Sequence, residues 1–94
     1  MKLAIALALT LLSNQALAAG EPGYGFDWFS PKSSCVKFEG TIAKGHPCKK
    51  GEVASSTGPM QRVCAAADKE SEYLVFKTKK ECQTELESQR ANAP

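Results

Sequence analysis

After its first dozen residues the chain has no long apolar run, it carries a single histidine and a single tryptophan, and its charges never gather into a block of one sign. Crossing a bilayer takes about 20 apolar residues, so the body of the chain is expected to hold no membrane span. A nucleic-acid binder would show a dense basic stripe. Here Lys44, Lys49 and Lys50 are offset by Glu39 and Glu52 and read as solvated loop lysines, so no nucleic-acid partner is expected. There is no C-x-x-C, alone or followed by histidine, which excludes a thioredoxin-like redox centre and covalent haem attachment. Zinc ligands usually come in close pairs, whereas the nearest two cysteines are thirteen positions apart. Also missing are a glycine-rich phosphate loop, a G-x-S-x-G elbow, H-E-x-x-H and a calcium loop of alternating carboxylates. The expectation is a protein with no catalytic residues, cofactor or metal.

What is present begins with a leader. Lys2 supplies one positive charge, Leu3 to Leu12 is an apolar run of ten broken only by Thr10, and Ala16-Leu17-Ala18 offers small residues at the spacing signal peptidase reads. Ten apolar residues are too few for an anchor, and no cysteine near the cut can accept a lipid. Residues 1–18 are expected to be a cleaved signal peptide, giving an exported protein, periplasmic or secreted. Without Lys2, the leader's one charged residue, the twelve basic residues fall to eleven against ten acidic ones, a net charge of +1 that names no partner.

The mature part, about 76 residues, is short for a stable core. It holds four cysteines, Cys35, Cys48, Cys64 and Cys82, an even number that reads as a disulfide framework in an exported chain. Four cysteines allow three pairings. With Cys64 in a hairpin strand and Cys82 in the first turn of the helix that follows it, the expected bridges are Cys35–Cys48 and Cys64–Cys82.

Residues 19–34 form an arm rich in glycine and proline, expected to be irregular or extended, ahead of a small two-disulfide domain at 35–94. Cys35 to Phe38 alternates like a short strand and equally suits a helix start, while residues 44–60 read mostly as loop. Gln61–Ala66 and Glu72–Lys77 flank a polar connector and predict a β-hairpin over about 61–77. Leu74 and Phe76 share one face of its second strand, Tyr73 and Val75 the other, which predicts cover on both sides. Thr78 three positions before Glu81 marks a helix start, and the helix should run to about Arg90. Cys82 and Leu86 share its inner face, continued by Gln89 and Arg90. The fold class is therefore α+β: a small disulfide-stabilised domain, hairpin then C-terminal helix.

For chemistry the sequence offers little. His46 stands between Gly45 and Pro47 with no serine or aspartate beside it, and reads as a surface histidine. Glu81 and Glu85 are one helical turn apart, Glu81 capping the helix and Glu85 reading as solvated. Four of the seven aromatic residues, Tyr24, Phe26, Trp28 and Phe29, lie within six positions. They either complete the core or form a partner-binding surface, Trp and Tyr being common interface anchors. The expected function is a small non-catalytic binding module of the cell envelope or exterior, its partner another protein or an envelope component. The alternative is a secreted inhibitor, immunity protein or effector acting on a target protein, with loop 44–60 entering the target's cleft.

Overall fold

The computed structural model describes residues 22–93, so the expected signal peptide at 1–18 lies outside the described residues. Strands β1 (Gly23–Asp27), β2 (Val36–Phe38), β3 (Val53–Ala54), β4 (Met60–Ala65) and β5 (Glu72–Phe76) form one antiparallel sheet in the order β2-β1-β5-β4-β3. Helix α1 (Gly40–Gly45) follows β2, and helix α2 (Lys79–Ala91) follows β5. This is a small α+β domain with two disulfides, as the sequence predicts.

The expected hairpin is β4 with β5, Val63 opposite Leu74 and Cys64 opposite Tyr73. Both faces of β5 are covered. Leu74 and Phe76 meet Phe26, Cys82 and Leu86 beneath α2. On the other face Val75 joins Phe38 and Cys64, with Ile42 and Ala43 of α1 and Tyr73 packed against them. Alternation sends successive β5 side chains to opposite layers, so this strand serves two small cores at once.

The expected arm supplies a strand at the heart of the sheet. β1 pairs with β5 on one side and with β2 on the other, and β2 settles the open choice at Cys35–Phe38 in favour of a strand. Its Gly-Tyr-Gly-Phe pattern explains the placement. Phe26 stacks on Phe76 with ring centroids 6.5 Å apart, whereas on the opposite face the glycines leave room for Val75. A Cβ at Gly25 would lie 2.9 Å from the Leu74 carbonyl oxygen and 3.0 Å from a Val75 methyl.

The disulfides correct the expectation: they join Cys35 to Cys82 and Cys48 to Cys64, not Cys35 to Cys48 and Cys64 to Cys82. Alternation along β4 is the reason. Val63 faces α2, so its neighbour Cys64 must point to the other face, away from Cys82. Cys48 reaches the outer edge of β4 and bridges Cys64 where Lys49 N–H donates to the Val63 carbonyl, a non-hydrogen-bonded antiparallel site whose side chains lie close. Cys35, leading into β2, is carried to the inner face of α2. All four cysteines are paired, which fits an oxidising compartment outside the cytoplasm.

α2 starts as predicted, the Thr78 hydroxyl accepting from the Glu81 N–H at 3.1 Å. Its inner face is Cys82, Leu86 and Glu85, the last contrary to the expectation of a solvated carboxylate. Residues 44–60 are more ordered than a loop, containing the end of α1 and all of β3. Among the described residues no helix is long and apolar enough to cross a membrane.

Candidate functional site

β1 ends at Asp27, and the chain then turns through Trp28 to Ser34 before reaching β2. Asp27 organises that turn. Its Oδ1 accepts from the N–H of Phe29 at 3.0 Å and from the N–H of Glu72 at 3.1 Å, its carbonyl accepts from Ser30 N–H, and its own N–H donates to Ser33 Oγ at 2.7 Å. Trp28 is fixed twice to Glu72, by its backbone N–H to the Glu72 carbonyl at 3.1 Å and by indole Nε1 to Glu72 Oε1 at 2.8 Å. The turn is thus held before any ligand arrives.

Trp28 and Phe29 remain 46% exposed, their rings edge to face with centroids 5.0 Å apart. Large apolar side chains held rigid and half in water are the informative kind of surface exposure. They form one wall of a groove of about 380 Å³, with Phe26 and Leu86 at its floor. The opposite wall is the end of α2 and the residues just after it, where Gln89, Arg90 and then Ala93 continue from Cys82 and Leu86. Arg90 Nη2 donates to the Ser33 carbonyl and fastens the helix end to the turn. That volume is within the range of ligand sites, about 300–1,000 Å³.

The four aromatic residues singled out in the sequence therefore divide. Phe26 is 1% exposed and belongs to the core, with half-buried Tyr24 packed against the same cluster. Trp28 and Phe29 alone present a surface. Strand alternation also fails to keep Trp28 in line with Tyr24 and Phe26, because β1 has ended one residue earlier.

Two polar constellations had no signal in the sequence. His46 Nδ1 lies 2.8 Å from the Ile42 carbonyl and Nε2 2.7 Å from Ser71 Oγ. A carbonyl only accepts, so Nδ1 carries the proton in the neutral ring and Nε2 accepts from the Ser71 hydroxyl. The imidazole also meets the Tyr73 ring edge to face at 4.8 Å, tying α1 to the β4–β5 connector. Burial, with the Asp27 carboxylate adding to it, raises the pKa of Tyr73 above its ordinary 10.0, so the phenol stays neutral.

The second is Glu85, 2% exposed. It accepts from Ser56 Oγ, from Thr57 N–H at 3.2 Å, from Thr57 Oγ1 at 3.0 Å and from Gln89 Nε2 at 3.0 Å. Burial pushes its pKa up, but the donors of Gln89, Ser56 and Thr57 outweigh that and hold it below the ordinary carboxylate value. The group is an anchor for the 55–59 turn, and its partners in that turn come 28 and 29 positions earlier in the chain, where no helical spacing would reveal them.

Among the described residues no cluster of three or more histidine, cysteine, aspartate or glutamate side chains is arranged to hold a metal ion. At the groove, apolar surface held in place by the Asp27 and Glu72 bonds meets solvent. Comparison with protein-family models, with curated proteins and with solved structures gives no match to this chain.

Proposed function

We propose that the chain is an exported, non-catalytic binding module, periplasmic or secreted, which holds another protein or an envelope component in the groove beside Trp28 and Phe29. One observation carries this reading. Two large aromatic side chains are each 46% exposed although their turn is locked by Asp27 and Glu72. Exposure of that kind costs solvation without any gain to the core, and rigidity lowers the entropy lost on binding. Trp28 is the only tryptophan, so its fluorescence reports on the site alone. In the isolated protein the emission should be red-shifted and open to acrylamide, and solubilised envelope material should shift it to the blue and shield it. Phe29→Ala should weaken that response severalfold. An emission already blue and unquenched without ligand would remove the basis for the reading.

Export is tested by the intact mass of the purified protein. A mass equal to Ala19–Pro94 less four hydrogens supports the cut after Ala18 and both bridges. Retention of the leader, or four free thiols, would count against it.

A small serine hydrolase is a second reading, drawing on the Ser71–His46 pair. In that chemistry His46 Nε2 takes the Ser71 proton as the hydroxyl attacks an ester or amide carbonyl, with the Ile42 carbonyl orienting the ring. It then returns the proton to the leaving alcohol or amine as the acyl bond breaks, and water later releases the acyl group. The structural role of His46 between α1 and the hairpin accounts for the same bonds, so the binding reading is preferred. Labelling by a fluorophosphonate that Ser71→Ala abolishes would reverse that preference.

A further inference from the structure

We infer that the groove receives the C-terminal end of a partner polypeptide, its last apolar side chain on Phe26 and Leu86 and its terminal carboxylate on Arg90. The inference rests on the binding reading above and adds the chemistry of the ligand. Its basis is the charge balance around the groove. Arg90 is the groove's cation, and its polar partner is the Ser33 carbonyl, which neutralises no charge. A guanidinium offers five N–H donors in a planar fork, so donors remain for a carboxylate while the Ser33 bond holds the side chain in place.

Glu87, exposed and three positions before Arg90 on α2, makes no ion pair with it, and the other described carboxylates around the turn are engaged elsewhere. Asp27 is committed to two backbone N–H groups, Glu72 to the Trp28 indole, and Glu85 to the 55–59 turn and Gln89. An anion at this place works against the negative end of the α2 dipole, an effect of about 0.3–1 kcal/mol. The Arg90 guanidinium has to outweigh that effect.

The lining favours a peptide as the source of the carboxylate. A groove of about 380 Å³ accommodates one or two side chains. Ser30 and the amide of Gln89 stand in its lining beside the apolar floor. With Gln89 Nε2 already donating to Glu85, its amide oxygen and the Ser30 hydroxyl match the N–H groups of a peptide backbone and find no partner in an acyl chain.

The test is titration of Trp28 fluorescence in the mature, oxidised protein with a short peptide ending in phenylalanine, as free acid and as C-terminal amide, and with decanoate. The free acid is expected to bind about five- to tenfold more tightly than the amide, a bidentate pair at a partly exposed site. Arg90→Gln should erase that difference and Arg90→Lys should retain part of it. Should Arg90→Gln fail to fold, the acid–amide ratio on the unaltered protein decides. Equal affinity for acid and amide would overturn the role of Arg90 and leave groove binding standing. Tighter binding of decanoate would overturn the peptide assignment. Failure of every probe, with envelope material still shifting Trp28, would sink this inference alone; failure of both would sink the binding reading too. Concentration-dependent dimerisation lost in Trp28→Ala would give the groove to a second copy and overturn the assignment.

Discussion

Glu85 and Ser56 stand 29 positions apart and share one bifurcated hydrogen bond, the serine hydroxyl lying 2.9 Å and 2.8 Å from the two carboxylate oxygens. A carboxylate buried beneath a helix is costly unless every oxygen finds a donor. Here the 55–59 turn and Gln89 supply them. Glu85→Gln places an amide where hydroxyl and N–H donors converge, and should cost about 1–3 kcal/mol in urea unfolding.

The same carboxylate gives the stability a pH dependence. Its pKa is lowered in the folded state, so its contribution is complete above the ordinary carboxylate value, near 4.5, and is lost as pH falls through that value toward the folded one. Thermal unfolding followed from pH 6 to pH 3 should show a decline that is shallower in Glu85→Gln. Equal slopes would contradict the bond network.

The two bridges should differ in worth. Cys35–Cys82 spans 47 positions and Cys48–Cys64 spans 16. By loop-closure entropy these correspond to about 4 and 3 kcal/mol. Replacing the first pair by alanine should lower the melting temperature more than replacing the second, and non-reducing peptide mapping should recover a fragment joining Cys35 to Cys82.

At Gly25 the sheet has no space for a methyl group. A Cβ would press on the Leu74 carbonyl and on Val75, so Gly25→Ala should destabilise by about 1–3 kcal/mol. Circular dichroism melts would show it, and no change in melting temperature would mean that β1 sits further from β5.

His46→Ala removes the link between α1 and Ser71. A loss of about 1–2 kcal/mol is expected, with faster amide exchange in α1 and an unchanged Trp28 emission. If emission shifted as well, the groove and this histidine would be coupled.

The elements legible in the sequence are those with local signals. Thr78 and Glu81 mark a helix start within one turn, and the Tyr73–Phe76 run announces a strand by its residue types alone. β1 is legible only as an aromatic arm, irregular or extended, because its pairing depends on β5, whose partner residues begin 46 positions later at Tyr73. The cysteine pairing failed for the same reason. It needs to be known which face of β4 looks at α2, and that follows from the sheet order. Of the site, Trp28 and Phe29 stood out by type. Helical spacing puts Arg90 on the inner face of α2, but only the turn at Trp28–Ser34 folding back over α2 makes that face a wall of the groove.

The sheet order β2-β1-β5-β4-β3 also sets a timetable for the growing chain. The first strand to emerge has a neighbour that is made nearly last, so it must wait, unpaired on that side, until β5 is complete. Cys48 and Cys64 can meet when two-thirds of the residues are out, whereas Cys35 has no correct partner until Cys82 follows. Oxidation strictly in order of emergence would join Cys35 to Cys48, a link absent from the finished fold. Cys35 must therefore stay reduced during synthesis, or be released by exchange once α2 has arrived.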